Sequence, residues 1–302
     1  MSFQPPAESA ILQAYPELRT LQFLTAGGFK AVYRAQTARG EEAFKLLFLP
    51  ASGASDREQG IRREQLGRVM REVQLLARVT TPEVVKLGSI DARTETIAGT
   101  EYIGYSEEWL DGPDLWQMIR GPVAAPLPSE TECRQLLLSL LRAIRAISEL
   151  NTIHRDIKPG NVVKLARVDR PFVLLDLGIA YDVTEASLTY EASQRMPPAT
   201  YRYFAPEMAN LDFRDRLTYR TDLYTAGLTV FEYATREHPI ARQGDDLVMT
   251  LSRAIRAPPR SLRDLRPEIS AEFSALIDQL LKKQPMLRGN LAQLIQRLEN
   301  PA

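Results

Sequence analysis

The chain has 302 residues, with 38 Lys+Arg, 38 Asp+Glu and a formal net charge of zero. That balance argues against a sequence-independent nucleic-acid binder, which needs a basic excess. A 44% apolar and 25% charged composition is ordinary for a globular chain. The lone cysteine, Cys133, excludes an intrachain disulfide, and with two histidines it is too little for a zinc site of the usual kind.

Residues 1–18 read as a loose or helical lead-in. They lack a basic segment followed by an apolar run, so no secretory signal is expected. Short apolar or alternating runs at Leu21–Leu24, Ala31–Gln36, Ala43–Leu49, Val84–Ile90 and Tyr102–Trp109 predict strands. Between them Leu66, Val69, Met70, Val73 and Leu76 recur at spacings of three and four, predicting a helix over Glu64–Val79. The segment 110–114, Leu-Asp-Gly-Pro-Asp, reads as a joint, because Gly-Pro ends regular structure. Ser129-Glu130-Thr131-Glu132 is a capping box opening a helix to about Leu150. Further helices are expected at 222–235, 247–256, 270–282 and 290–299. The longest aliphatic runs, Leu136–Leu141 and Phe172–Leu175, are far shorter than the ~20 residues of a membrane span, so a cytoplasmic protein with no membrane partner is expected. The overall expectation is an α+β chain of two lobes. A lead-in at 1–18 precedes a small β-rich lobe at 19–110 with one main helix. A larger, mostly helical lobe follows at 111–302.

One stretch concentrates chemistry. Ile153-His154-Arg155-Asp156-Ile157-Lys158-Pro159-Gly160-Asn161 is followed, fifteen residues after Asn161, by Asp176-Leu177-Gly178. Asn161 and Asp176 are oxygen ligands of the kind Mg²⁺ prefers. Asp156 supplies a candidate base. One base with two metal ligands is the combination that phosphoryl transfer requires.

Here the sequence resembles the eukaryotic-like Ser/Thr protein kinase family. His-Arg-Asp-Ile-Lys-Pro-Gly-Asn resembles the family's catalytic loop. Asp-Leu-Gly resembles its metal-binding Asp-Phe-Gly, and Ala205-Pro206-Glu207 its Ala-Pro-Glu. The order and spacing agree over roughly 19–299, implying one bilobal catalytic domain with an antiparallel sheet in its N-lobe. Ala43-Phe44-Lys45 resembles the family's Val-Ala-Ile-Lys strand, which implies that Lys45 contacts the α/β-phosphates of ATP. Glu72 is then its expected partner, with Glu64 as the rival. Thr25-Ala26-Gly27-Gly28-Phe29-Lys30-Ala31-Val32 lies on the glycine-rich loop pattern and matches only its second glycine, at Gly27. Thr25, Gly28 and Lys30 remain phosphate-loop candidates.

By the same resemblance Val32, Ala43 and Val163 sandwich the adenine. Glu108 and Leu110 offer backbone groups at the joint, and Asp114 reaches the ribose. Glu107 occupies a position that usually holds an apolar residue. Asp156 orients the attacking hydroxyl and accepts its proton, while Lys158 and Thr200 mark the Ser/Thr type. Asn161 and Asp176 hold Mg²⁺. Asp222 braces the catalytic loop, His154 is structural, and Glu207 pairs with Arg288. A phosphate on loop 179–199, at Thr189 or Ser193 among its candidates, would pair with Arg155. The implied activity is ATP- and Mg²⁺-dependent phosphorylation of Ser/Thr in protein substrates, with autophosphorylation. Two alternatives stand beside it: a kinase-shaped binding module without turnover, suggested by the eroded glycine loop, and a small-molecule kinase. Of only seven lysines, Lys45 and Lys158 fall on phosphate-handling positions and Lys30 in the phosphate loop.

Overall fold

Three tight turns build the sheet that carries Lys45. Gly27 pairs with Lys30, so Gly28 and Phe29 close a two-residue hairpin, with Gly28 at φ 59°. Gly40, at φ 119°, closes the next, and Ala98-Gly99, both at positive φ, the last. The strands are β1 (Thr20–Gly27), β2 (Lys30–Thr37), β3 (Gly40–Leu49), β4 (Arg93–Ile97) and β5 (Thr100–Glu108), antiparallel in the order β1-β2-β3-β5-β4. The computed structural model describes residues 3–51, 55–121, 126–177, 181–182, 201–209 and 217–300.

The chain divides into two compact units, Met1–Arg78 with Val85–Asp111, and Val79–Val84 with Gly112–Ala302. In the first, the period of two sorts side chains onto two sheet faces. Ala31, Tyr33, Ala35, Phe44 and Leu46 form a buried cluster with Ile11 of α1 (Glu8–Ala14) and with Tyr15 just after it. On the other face Leu49, Ile103 and Tyr105 pack with Val69 of α2 (Asp56–Arg78). That helix starts eight residues before the expected Glu64, because the apolar stripe marks only its packed part.

The expected strand Val84–Ile90 is not one. It makes only isolated bridges, Val84 to Leu174 and Leu87 to Glu107, and backbone bonds such as Gly88 N to Ser106 O at 2.8 Å. The polar stretch Arg93–Ile97 takes the edge position instead, where alternate side chains stay partly exposed. An apolar run signalled burial there, not strand pairing.

The second unit is mainly helical: α3 (Leu115–Arg120), α4 (Glu130–Ser148), α5 (Tyr219–Thr235), α6 (Leu247–Arg256), α7 (Leu262–Leu265), α8 (Ala271–Leu280) and α9 (Leu291–Glu299). Ser129 and Glu132 form the expected capping box of α4. The lone Cys133 is buried in α4, and burial pushes its thiol up to about 12. Helix α5 is buried from Thr221 to Thr235. Its threonines tolerate this by bonding within the fold: Thr229 Oγ1 donates to Thr225 O at 2.8 Å and Thr235 Oγ1 to Phe231 O at 2.8 Å. Short strand pairs complete the unit: β6 (Thr152–Ile153) with β9 (Tyr181–Asp182), and β7 (Val162–Lys164) with β8 (Phe172–Leu174). Among the described residues no helix is long and apolar enough to cross a membrane.

Candidate active site

The first unit gathers charge around Lys45. Strand register sets Val32 opposite Lys45, Lys45 opposite Tyr105, and Ala43 opposite Glu107. These side chains therefore share the α2 face of the sheet. Glu72, three residues after the buried Val69, comes from α2 onto the same lysine, its Oε1 accepting from Nζ at 3.1 Å. Glu64 instead pairs with Arg68 one turn on, so it is not the partner. Glu107 is a second acceptor for Lys45 Nζ, and all three side chains are buried. A lysine held by two buried carboxylates was not anticipated. The available signal was the acidic residue at an expected apolar position.

The remaining expected contacts of this unit fall as follows. Thr25, Gly27 and Gly28 are exposed and Lys30 is partly exposed on the β1–β2 hairpin. A Cβ built at Gly27 or Gly28 would meet no atom within 4 Å, so the backbone there is open to approach. Val32 and Ala43 are half-buried neighbours on one face. Glu108 exchanges bonds with Lys86: its N donates to Lys86 O at 2.9 Å, and its Oε1 accepts from Lys86 N at 2.8 Å. Leu110 is half-buried just past β5.

The second unit assembles the other group. Asp222, buried in the first turn of α5, accepts from the backbone N–H of both His154 and Arg155 at 2.8 Å. His154 is fully buried; its Nδ1 accepts from Asp156 N at 3.2 Å and its Nε2 faces Leu175 O at 3.1 Å. These anchors hold the loop in a conformation with Arg155 at φ 69°, and Asp176 also lies in the left-handed region at φ 62°.

Asp156 is buried, and its two oxygens differ. Oδ2 accepts from Lys158 Nζ at 2.7 Å and from Asn161 Nδ2 at 2.9 Å, while Oδ1 is buried without a hydrogen-bond partner among the described residues. Burial pushes the carboxyl above the usual range, opposed by Lys158 and reinforced by the charge of Asp176. Asn161 Nδ2 also donates to Asp156 O at 2.9 Å, which fixes its amide. The Pro159–Asn161 turn makes this possible by bringing Asn161 back onto Asp156, five positions earlier. The resemblance implies only a metal-ligand role for Asn161; its hold on Asp156 needs that turn.

The donor set suits Mg²⁺. Asn161 keeps its carbonyl oxygen and Asp176 offers a carboxylate. Among the described residues no group of three His, Cys, Asp or Glu forms a metal cage. Mg²⁺ is commonly held by one or two carboxylates with waters and substrate phosphates rather than by an all-protein cage.

Asp114 caps α3, its Oδ1 accepting from Gln117 N at 2.7 Å, a role the ribose expectation had not included. It bridges Val163, which is buried in β7. Gly112 is required just before it, since a Cβ there would stand 2.0 Å from Lys164 O. The expected Glu207–Arg288 pair is present and buried, bidentate at 2.6 and 2.8 Å. Thr200, Gly178 and the phosphorylation candidates Thr184, Ser187, Thr189, Tyr190 and Ser193 lie outside the described residues.

The family model described as "Protein kinase domain" matches residues 18–298. The chain belongs to the protein kinase family. It is 28% identical to "Serine/threonine-protein kinase PknE" of Mycobacterium bovis over 92% of this chain and 45% of that relative. It is also 28% identical to "Serine/threonine-protein kinase PknJ" of Mycobacterium tuberculosis, over 89% of this chain and 42% of the relative. With "Probable serine/threonine-protein kinase PknB" of Bifidobacterium longum the identity is 30%, over 61% of this chain and 25% of the relative. The chain thus spans less than half the length of these curated relatives. The antiparallel sheet of the first unit and the helix-rich second unit are the α+β architecture the resemblance implied.

Proposed function

We propose that the chain is a Ser/Thr protein kinase that transfers the terminal phosphoryl group of ATP to hydroxyls of protein substrates. The observation that carries this reading is Asp156. One oxygen is tied down by Lys158 and Asn161, and the other is buried with no partner. That leaves one acceptor for one hydroxyl proton. In the step, the substrate oxygen bonds to the γ-phosphorus and the bond from that phosphorus to the bridging oxygen breaks. The hydroxyl proton goes to Asp156 and ADP leaves with the electron pair.

Lys158, already on Asp156, stabilises the phosphoryl group in transit. Lys45, oriented by Glu72, contacts the α/β-phosphates. The β1–β2 hairpin, with Thr25, Gly27, Gly28 and Lys30, covers phosphates, and Thr200 contributes to the Ser/Thr selectivity. Val32, Ala43 and Val163 hold the adenine, Glu108 and Leu110 supply backbone groups, and Asp114 reaches the ribose with the oxygen left over from capping. Asn161 and Asp176 would hold Mg²⁺, which when bound supplies neutralisation of phosphate charge. With it we propose protein substrates, no nucleic acid or membrane partner, and a cytoplasmic setting.

Transfer of labelled γ-phosphate to generic protein substrates tests the proposal. Wild-type protein should label them in the presence of Mg²⁺, and Asp156→Asn and Asp176→Ala should not. Equal labelling by wild type and Asp176→Ala would sink the assignment. Thermal shift with Mg·ATP reports nucleotide binding, which raises the melting temperature; a shift without label transfer would favour a binding module over an enzyme.

A further inference from the structure

The second unit contains a cavity of about 950 Å³ between the end of α3, the end of α5 and the segment joining α5 to α6. It lies apart from the residues assigned above, and its lining is unusually cationic. Six arginines face it, Arg120, Arg202, Arg236, Arg242, Arg253 and Arg260, against two carboxylates, Glu232 and Glu237. Part of this charge is spent within the fold. Arg260 pairs with Glu237 at 2.7 Å and Arg253 with Asp245 at 2.9 Å. Among the described residues, the guanidinium groups of Arg120, Arg202 and Arg242 form no ion pair, although the Arg242 backbone N–H donates to Asp245 Oδ2 at 2.8 Å.

The remaining acid is already engaged within the fold. Glu232 is buried and accepts from Tyr203 Oη, and burial pushes its carboxyl above the usual range. Donors are left over as well. Among the described residues, Arg202 Nε is buried with no hydrogen-bond partner. His238 is buried, and burial holds its ring neutral, with a pKa near 3. Its Nδ1 accepts from the backbone N–H of Ile240 at 3.1 Å and of Ala241 at 2.8 Å. The proton therefore sits on Nε2, which has the Arg202 carbonyl nearby but completes no sound hydrogen bond. Surplus guanidinium groups, buried donors lacking acceptors and a concave shape together specify an anion carrying several acceptor oxygens.

The position of the cavity says what carries the anion. Asp222 near the start of α5 holds the amides of His154 and Arg155, just before Asp156, and Glu232 at its far end lines the cavity. Ten residues of helix span about 15 Å. An extended peptide covers that distance in about four to five residues. Resting on the kinase reading above, we propose that this arginine cavity binds a phosphorylated or acidic side chain of the protein substrate, about four to five residues from the hydroxyl that is phosphorylated. The substrate class is thereby narrowed to proteins already phosphorylated, or acidic, near the target residue.

The test uses the purified full chain, treated with phosphatase, and fluorescein-labelled peptides with one acceptor serine. One peptide carries phosphoserine five residues from the acceptor, one glutamate, and one unmodified serine. Fluorescence anisotropy should show the phosphopeptide binding at least tenfold tighter than the unmodified peptide, with glutamate between them. Arg242→Ala and Arg120→Ala, both surface changes, should each remove most of that advantage. Their labelling of a generic substrate lacking acidic residues should be unchanged. Equal binding of the three peptides, or variants that bind like wild type, would overturn the proposal. If inorganic phosphate at equal concentration competes as well as the phosphopeptide, the site takes a free anion and the substrate assignment is wrong. If only phosphatase-treated protein binds the peptide, a phosphorylated segment of the chain itself is the occupant, which also overturns it. Binding needs no turnover. Peptide discrimination without any phosphate transfer would therefore uphold the cavity and refute the kinase reading, and transfer without discrimination would do the reverse.

Discussion

Glu107→Gln is the most informative single substitution. Lys45 is shared by Glu72, at 3.1 Å, and Glu107, with all three side chains buried. If both acids are ionised, the cluster holds two negative charges against one positive. A phosphate oxygen taking a hydrogen bond from Nζ would stand about 3 Å from the nitrogen, and so about 5 Å from the Glu107 carboxylate. At an effective dielectric of about 20, two unit charges at about 5 Å repel by roughly 3 kcal/mol. Spreading of phosphate charge and its neutralisation by Mg²⁺ reduce this by about half, to roughly 1.5 kcal/mol or somewhat more, or at least about tenfold in affinity. Glutamine keeps the size of the side chain and an acceptor oxygen for Nζ while removing the charge. Calorimetric titration with Mg·ATP should therefore give a dissociation constant about tenfold lower for Glu107→Gln than for wild type. Glu107→Leu, which also removes the charge, should shift in the same direction. Unchanged or weaker binding in both variants, with cooperative unfolding intact, would refute the view that Glu107 competes with phosphate for Lys45.

Three further outcomes follow from the geometry. Arg288→Ala strands the buried Glu207 carboxylate, to which Thr221 Oγ1 alone still donates a side-chain hydrogen bond among the described residues, and should cost about 3–5 kcal/mol in urea unfolding; the Glu207→Gln/Arg288→Leu double variant should recover part of the loss. Gly112→Ala places a methyl 2.0 Å from backbone that cannot rotate away, and should lower stability by about 1–3 kcal/mol or more, read as a drop in melting temperature. Asp156 must be ionised to accept a proton, and its pKa is raised by burial, so kcat/KM should fall as pH drops through a value above the usual aspartate range. Lys158 opposes that rise, so Lys158→Gln, although slower, should show its acid limb at higher pH; an unmoved limb would mean that Asp156 does not set it. The stability sign is opposite to that of a salt-bridged acid. Because the folded pKa is raised, this group's ionisation weakens the fold as pH climbs from the unfolded to the folded value.

Much of this molecule can be read from residue order, because its chemistry rests on short local patterns. The capping box at Ser129–Glu132 needs only a four-residue spacing, and β2, β3 and β5 follow from apolar alternation. The run from His154 to Asn161, followed by Asp176, places base and metal ligands through a single turn and a short strand pair. Local spacing also separated the strong helices, though it missed α3, a six-residue helix too short for a periodic stripe.

What spacing could not supply is register and long-range packing. Whether Val84–Ile90 or Arg93–Ile97 takes the sheet edge depends on which backbone groups β5 leaves open, and that is a property of the assembled sheet. Glu107 became a partner of Lys45 only because β3 and β5 pair with Ala43 opposite Glu107, putting acid and lysine on one face. The arginine cavity joins residues more than a hundred positions apart, from Arg120 to Arg260. The sequence by itself determined which chemical groups the chain carries and the order in which they come. The tertiary structure decided which charges share a lysine and which stand together around a cavity, because electrostatics follows distance in space and not separation along the chain.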